Sequence, residues 1–408
     1  MSDVFDGKNL PVLPGNIAIG HVRYASKQGT SGLGAHPVVV SHGGRMLALC
    51  FNGRLTNSAK LRSKCEMSGG LFQTTGDAEV IMHTLVRELL DNSGDIEKAA
   101  LSMMGRLEGA WSILILTGDK LIAARDPHGF RPLSLGDMDG DMVFASESCA
   151  FDAVGAKLVR DINPGECCIA GPDGLKSIKS GLSGEESLCV FEFVYNARVD
   201  SVIGSLSVDM ARREAGCCLA REDDVIKAAR ETGGLEDYIV VGVPDSALSA
   251  ALGYAMESGL PYEYGLVKNR YVGRTFILDT QGTREQAVRL KLSALRSCVA
   301  GKRVILVDDS IVRGTTSGYV VTLLREAGAT EVHMRISSPP FLYPCHFGTD
   351  VPDRAALIAA NHTVDEIAVM LGVDSLRYLS AESLKTMVGG LTCGYCDGCF
   401  TGKYSVEV

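Results

Sequence analysis

The stretch Val304-Ile-Leu-Val-Asp308-Asp309-Ser310-Ile-Val-Arg313-Gly314-Thr315-Thr316 decides the fold of half the chain. Its apolar start predicts a buried strand, and its small-residue end predicts a loop that opens a helix. Two adjacent carboxylates at a strand tip repel each other, so a polyhydroxylated or cationic ligand has to satisfy them. Backbone N–H groups at a helix start suit a phosphate. The stretch therefore predicts a site for a phosphorylated sugar, with an ordinary acidic turn as the alternative.

The residues around this stretch alternate between strand and helix. Short apolar runs at 238–243, 304–307 and 332–336 are separated by helical patterns, one of them at 315–327. Such runs predict a parallel sheet covered on both faces. We therefore expect a doubly wound α/β domain over residues 186–408, with ligands at the carboxyl ends of its strands.

The first part of the chain, residues 1–185, has a different pattern of apolar and turn-forming residues. Short extended runs punctuated by Gly, Asp and Asn predict strands, and apolar spacing of three or four predicts two helices. This pattern favours a layered α+β domain with sheet stacked on sheet, in which Asp77 caps the first helix and the polar residues 171–187 connect the domains. The predicted strands are 17–24, 46–51, 111–116, 121–124 and 142–145, and the predicted helices are 77–90 and 95–107.

Composition narrows the class of protein. The 408 residues carry 40 Lys+Arg and 49 Asp+Glu, a net charge of -9, which argues against a general nucleic-acid binder. No apolar run is long enough for a membrane helix, and residues 1–20 lack an export signal. We expect a cytoplasmic protein of two or three domains.

Thirteen cysteines are unusual for such a chain. Reduced thiols or metal ligands are expected rather than disulfides, and most of the thiols are interpreted as small buried hydrophobes. The tail differs, because Cys393, Cys396 and Cys399 follow one another at intervals of three. Three thiols so close in the chain could serve as metal ligands or remain plain thiols.

The stretch 304–316 resembles the phosphoribosyl diphosphate (PRPP) loop of type I phosphoribosyltransferases. Further motifs resemble the amidophosphoribosyltransferase family, glutamine-dependent enzymes that open de novo purine synthesis. The resemblance implies an N-terminal-nucleophile hydrolase sandwich (αββα) followed by a type I phosphoribosyltransferase domain. The motifs that carry it are Gly20-His-Val-Arg23-Tyr24, Phe51-Asn52-Gly53, Gly76-Asp77-Ala-Glu79-Val, Ala124-Arg125-Asp126-Pro127-His-Gly129-Phe-Arg131-Pro132-Leu133, Ser146-Glu147-Ser148 and Phe191-Glu-Phe-Val-Tyr195-Asn-Ala-Arg198-Val-Asp200-Ser201.

The resemblance implies roles for residues of the second domain. PRPP would be bound by the 304–316 stretch, Mg²⁺ would lie near the diphosphate, and a cationic lid over 267–275 would close on it. On residue types alone, that lid segment could equally be a solvated charged loop. The implied PRPP residues are Asp308, Asp309, Ser310, Arg313, Gly314, Thr315 and Thr316, the Mg²⁺ residues are Ser246, Asp308 and Asp309, and the lid cations are Lys268, Arg270 and Arg274.

In the first domain the resemblance implies a glutamine site. Arg23 and Asp77 would bind the carboxylate and the α-amino group of glutamine, and Asn52 with the N–H of Gly53 would form an oxyanion hole. On residue types alone, a helix cap is the favoured interpretation of Asp77 and a turn that of Asn52-Gly53.

The chain departs from the family at its start. Family members use an N-terminal cysteine as nucleophile, whereas this sequence begins Met1-Ser2, and its first cysteine, Cys50, lies in an apolar run. We interpret the sequence as a fragment or a misplaced start, and expect it to use ammonium rather than glutamine. The alternatives are a natural enzyme that uses free ammonia and a protein that only binds.

The resemblance also implies a [4Fe–4S] cluster on Cys189, Cys345, Cys396 and Cys399, with Cys393 as a spare ligand that keeps zinc open. It implies a homotetramer inhibited by purine nucleotides. Two other classes stay open: a non-catalytic PRPP- or nucleotide-binding regulator on the same fold, and a PRPP-binding subunit whose nucleophile comes from another chain.

Overall fold

A computed structural model describes residues 15–22, 34–182, 184–269, 292–349, 351 and 353–406. The chain forms two compact units. The first comprises Met1–Leu188 with two later segments, His346–Thr349 and Ser405–Val408. The second comprises Cys189–Cys345 and Asp350–Tyr404.

The first unit contains a six-stranded antiparallel sheet of order β1-β2-β3-β4-β8-β9 and a three-stranded antiparallel sheet of order β6-β5-β7. The strands are β1 Val38–His42, β2 Arg45–Leu55, β3 Gly109–Thr117, β4 Lys120–Arg125, β5 Ser134–Met138, β6 Asp141–Ala145, β7 Lys157–Asp161, β8 Glu166–Gly171 and β9 Gly174–Lys179, and the helices are α1 Ser58–Met67, α2 Asp77–Asp91, α3 Ile96–Met104 and α4 Cys149–Val154.

Alternating side chains of the central strands serve two separate cores, as the two-residue period of a strand requires. Ile113 and Ile115 of β3 pack with helices α2 and α3 on one face of the large sheet. Leu121 of β4 and Leu135 of β5 meet in a second core, between the two sheets. Helix α4 covers the far side of the small sheet, where Phe151 lies against Gly136. The layers run helix, sheet, sheet, helix, which confirms the predicted αββα sandwich.

The second unit is built on a parallel sheet of order β13-β16-β17-β18, which confirms the predicted α/β type. The strands after residue 187 are β10 Leu188–Cys189, β11 Val202–Ile203, β12 Leu206–Ser207, β13 Tyr238–Gly242, β14 Leu266–Lys268, β15 Leu292–Ala294, β16 Arg303–Asp308, β17 Glu331–Ile336, β18 Ser375–Tyr378 and β19 Tyr395–Cys396. The helices are α5 Val208–Glu222, α6 Asp224–Thr232, α7 Leu248–Ser258, α8 Arg296–Val299, α9 Thr315–Glu326, α10 Ile358–Asn361, α11 Val364–Leu371, α12 Ala381–Met387 and α13 Gly398–Thr401, with a π-helical turn at Glu192–Asn196 and a 3₁₀ turn at Arg354–Ala356.

Two local predictions are wrong. Residues 17–22 form no strand, and 23–24 lie outside the described residues. The expected connector 171–187 contains β9, because Gly171 and Gly174 turn the chain back along β8 and Ile178 packs against the large core. Among the described residues, no helix is long and apolar enough to cross a membrane.

Candidate active site

Asn52 and Gly53 lie inside strand β2 rather than in the turn that their residue types suggest. Gly53 pairs with Trp111 of β3 and has a φ of +137°. A Cβ on Gly53 would lie 2.0 Å from the carbonyl oxygen of Ala110, so only glycine fits. The Asn52 side chain is exposed. The pair is therefore a distorted strand segment with a polar side chain on the surface.

Asp77 does not cap helix α2, contrary to the prediction. The N-cap is Gly76, and Asp77 is the first helical residue. Its carboxylate instead accepts hydrogen bonds from Leu55 N (2.9 Å) and Ser58 Oγ (2.6 Å). Because Leu55 follows Gly53 by two residues, the structure brings Asp77 to the end of β2, beside the Asn52-Gly53 pair. Arg23, the other predicted glutamine residue, lies outside the described residues.

A segment that sequence reasoning did not identify lies against Gly53. A Cβ on Gly348 would be 2.8 Å from the Gly53 carbonyl carbon, and Gly348 has a φ of +101°. Arg131 fixes this segment by donating from Nε and Nη2 to the carbonyl oxygen of Phe347, at 3.1 and 2.9 Å. The only sequence signal was the motif that contains Arg131.

Cys50 is unsuited to act as a nucleophile. Its side chain is buried in β2, and burial raises the pKa of its thiol to about 11. A thiol with so high a pKa holds almost no thiolate at neutral pH. This agrees with its interpretation as a strand residue.

Asp308 and Asp309 lie at the carboxyl end of β16, where parallel sheets bind ligands. Both side chains are buried, with 6% and 7% exposed. Burial, and then the neighbouring Asp309, raise the pKa of Asp308 well above its ordinary value. Burial also raises the pKa of Asp309, although Ser246 and Ser310 donate hydrogen bonds to its carboxylate. Removal from water therefore disfavours the charged form of both carboxyls.

Helix α9 follows this pair after the loop 310–314. Gly314 is its N-cap, with a φ of +81°, and no side chain caps the helix. Thr315 and Thr316 are exposed residues of the first turn, where N–H groups have no partner within the helix. This is the arrangement predicted for phosphate. Arg313 is also exposed and lines a cavity of about 390 Å³ with residues of α10.

Two further residues approach the acid pair without having been predicted. Burial, and then Asp309 and Asp308, raise the pKa of Tyr195. The positive charge of Arg212 lowers the pKa of Asp309 against the effect of burial. Arg212 also donates to the carbonyl oxygens of Phe193 and Ala197, which hold the turn that carries Tyr195. The motif 191–201 marked Tyr195, but nothing in the sequence marked Arg212.

Of the predicted lid cations, only Lys268 is described. It ends strand β14 and forms an ion pair with Asp245, which directly precedes Ser246. Arg270 and Arg274 lie outside the described residues, and their role stays a prediction.

The four predicted cluster cysteines are neighbours. Burial, and then Cys189, Cys345 and Cys396, raise the pKa of Cys399 well above its ordinary value. Backbone hydrogen bonds gather their segments: Val190 N donates to Cys396 O, and Leu342 N to Cys399 O, both at 3.1 Å. In the described ranges, no group of three or more His, Cys, Asp or Glu side chains is arranged to hold a metal ion.

Comparisons with known proteins define the class. Residues 21–153 match the glutamine amidotransferase domain family, and residues 220–337 match the phosphoribosyl transferase domain family. The chain is thus a glutamine amidotransferase-type domain joined to a phosphoribosyltransferase domain.

Full-length relatives specify the family. Amidophosphoribosyltransferases of Bacillus subtilis and Archaeoglobus fulgidus are each 46% identical over 100% of this chain, covering 84% and 87% of their own lengths. This chain therefore belongs to the amidophosphoribosyltransferase family, a family of pentosyltransferases.

Solved structures agree with this assignment. The B. subtilis glutamine PRPP amidotransferase complexed with ADP and GMP has a TM-score of 0.84 at 46% identity, over 95% of this chain and 82% of that chain. A structure described as the allosteric regulatory enzyme of purine biosynthesis has a TM-score of 0.85 at 46% identity, with the same coverage.

Proposed function

We propose that this chain transfers ammonia to the anomeric carbon of PRPP, which releases diphosphate and forms 5-phosphoribosylamine, the first step of de novo purine synthesis. The observation that carries the proposal is the buried pair Asp308–Asp309, which one short loop joins to the start of α9, where no side chain caps the helix. Family membership and the names of the relatives support it.

The acid pair and the start of α9 bind different groups of PRPP. The carboxylates of Asp308 and Asp309 accept hydrogen bonds from the ribose hydroxyls, which compensates for their removal from water. The N–H groups and hydroxyls of Thr315 and Thr316 hold the 5-phosphate, and the helix dipole of α9 favours its negative charge. The sugar is thereby fixed at both ends while its anomeric carbon reacts.

A magnesium ion fits the diphosphate side of this site. Ser246, Asp308 and Asp309 offer hydroxyl and carboxylate oxygens, the ligands that Mg²⁺ prefers. Burial raises the pKa of both carboxyls, and Asp309 raises that of Asp308 further; a bound divalent cation would favour the charged form of both. When bound, Mg²⁺ neutralises the charge of the departing diphosphate. Lys268 forms an ion pair with Asp245, the residue before Ser246, and could exchange that partner for the diphosphate.

The reaction breaks one bond and forms one. The lone pair of ammonia forms the C–N bond, the C–O bond to diphosphate breaks, and diphosphate leaves with that electron pair. The nitrogen then loses a proton to solvent. The residues of this chain contribute position and charge, which are the principal means of catalysis in such transfers.

The first unit provides a glutamine site in this proposal. Asp77 binds the α-amino group, Arg23 the carboxylate, and Asn52 with the N–H of Gly53 the oxyanion. The support is that Asn52, Gly53 and Asp77 lie at the same end of β2. The use of ammonium rather than glutamine by this chain stays a prediction.

We assign the cysteine group to a [4Fe–4S] cluster, with zinc as the alternative. Four thiolates are the usual ligands of such a cluster. The support is that Cys189, Cys345 and Cys396 lie close enough to Cys399 to raise its pKa. The raised pKa of Cys399 means that its thiol keeps its proton at neutral pH, and bound iron would favour the thiolate instead. Inhibition by purine nucleotides, a homotetramer and a cytoplasmic location stay predictions.

Diphosphate release tests the proposal against its main alternative. An enzyme releases diphosphate from PRPP only when ammonium and Mg²⁺ are both present. A non-catalytic regulator binds PRPP and releases none. Binding of PRPP without ammonium-dependent release would exclude the proposed reaction.

A further inference from the structure

The carboxylate of Asp77 is held by two donors from different elements. Leu55 N, at the end of β2, donates to Oδ2 at 2.9 Å, and Ser58 Oγ, at the start of α1, donates to Oδ1 at 2.6 Å. Because each oxygen has its own donor, the carboxylate cannot rotate without losing a charge-assisted hydrogen bond. The direction of its remaining lone pairs is therefore set by Leu55 and Ser58.

Nothing else in the described part of the chain uses this carboxylate. Gly76 is the N-cap of α2, and no described cation forms an ion pair with Asp77. An ionised carboxylate accepts roughly four hydrogen bonds, of which two are made here. A half-buried carboxylate that has two further lone pairs and no counterion within the described ranges suits an ammonium group.

Ser58 is itself held in place. The preceding Asn57 is buried and donates from Nδ2 to Arg106 O at 2.9 Å, while its Oδ1 accepts from Glu108 N at 3.2 Å. These contacts anchor the start of α1 to the beginning of β3. The Ser58 hydroxyl does not cap its helix and is committed to Asp77.

We propose that Ser58 is a positioning residue of the glutamine site, which orients the Asp77 carboxylate toward the α-amino group of glutamine. The inference rests on the proposed function. Ser58 acts through its hydrogen bond to Asp77, so its removal should change affinity for the ammonium group alone. The two residues are separated by 19 positions, and no sequence motif links them.

The test compares Ser58→Thr with Ser58→Val, which share a shape and differ in the hydroxyl. Glutamine binding is measured by titration calorimetry in the presence of PRPP and Mg²⁺. We expect the Val variant to bind glutamine about tenfold more weakly than the Thr variant, in line with a hydrogen bond to a charged group. Glutaramate, which keeps the carboxylate and amide but lacks the α-amino group, should bind both variants equally.

Each other outcome has a defined meaning. Equal glutamine affinity of the Thr and Val variants, with affinity lost in Asp77→Asn, would overturn the role of Ser58 and leave the glutamine site standing. An equal loss of glutamine and glutaramate in the Val variant would reduce Ser58 to a structural role and overturn the proposal. Normal glutamine binding in Asp77→Asn, or none in the unchanged chain, would remove the glutamine site itself. If the Val variant does not fold, Ser58→Ala replaces it.

Discussion

Gly53 and Ala110 approach so closely that a Cβ on Gly53 would lie 2.0 Å from the Ala110 carbonyl oxygen. The two residues belong to the paired strands β2 and β3, whose register places Gly53 opposite Trp111. Gly53, the predicted oxyanion residue, therefore lies where the backbones of β2 and β3 are in close contact, and its position depends on both strands.

Gly53→Ala should lower the free energy of unfolding of the first unit by on the order of 3–5 kcal/mol. The alanine would have to adopt a strained φ, and one strand would have to move to relieve the clash with Ala110. The chain has one tryptophan, Trp111, so urea unfolding followed by its fluorescence reports on this unit. Gly140→Ala is the control: its φ is +101° and no atom lies within 4 Å. It should cost only about 1–2 kcal/mol. Equal losses in the two variants would show that the contact with Ala110 is unimportant.

Asp308→Asn should abolish stabilisation of the chain by PRPP and Mg²⁺ and sharply reduce turnover. Without ligand, the variant should be more stable than the parent chain by about 1 kcal/mol in the free energy of unfolding. This corresponds to a rise of a few degrees in the midpoint of thermal unfolding. Because burial raises the pKa of Asp308, the folded parent loses stability as pH rises and the carboxyl ionises, so this advantage grows with pH. Calorimetry with and without ligand measures both effects, and Asp152→Asn, on the surface, is the control. Unchanged kinetics in Asp308→Asn would contradict the site assignment.

Glu166→Gln should weaken the first unit in a pH-dependent manner. Burial disfavours the charged form, but hydrogen bonds from Arg160, Ser177 and Asn163 outweigh it and lower the pKa of Glu166 from 4.5 to about 2. The contribution of a lowered carboxyl pKa is complete above its unfolded value and disappears as pH falls through the folded one. Trp111 fluorescence should show a difference of about 2 kcal/mol above pH 4.5 that shrinks toward pH 2. A constant difference across this window would mean that the charge is irrelevant.

Cys399→Ser should remove iron, labile sulfide and visible absorbance from anaerobically prepared protein, because Cys399 lies among the three other predicted ligands. Cys393→Ser should keep all three, since Cys393 is not needed as a ligand. A colourless parent chain without iron would end the cluster proposal, and loss of iron in Cys393→Ser would reassign the fourth ligand.

Most of the fold could be predicted from the sequence, because strands and helices with a buried face have apolar residues at regular spacings. The run 304–308 reads as a buried strand, and the helix from Thr315 is signalled by the glycine before it. Strand β9 was missed because an exposed edge strand needs only Ile178 to face the core, so its composition resembles a linker.

The site was less predictable where it depends on long-range contacts. Asp77 reads as a cap from local sequence, yet its partners lie in β2 and α1, and only the folded chain shows them. Arg212 and Gly348 carry no local signal at all, since each acts through segments that are distant in sequence. The acid pair was predictable because its two carboxylates are adjacent in the chain.

The most direct test follows the nitrogen atom. The chain is incubated with PRPP, Mg²⁺ and ¹⁵N-ammonium, and the products are examined by NMR and mass spectrometry. The account predicts a ¹⁵N–C1 bond on phosphoribosylamine, with one diphosphate released per bond formed. Diphosphate release without nitrogen on the sugar, or no release at all, would contradict it.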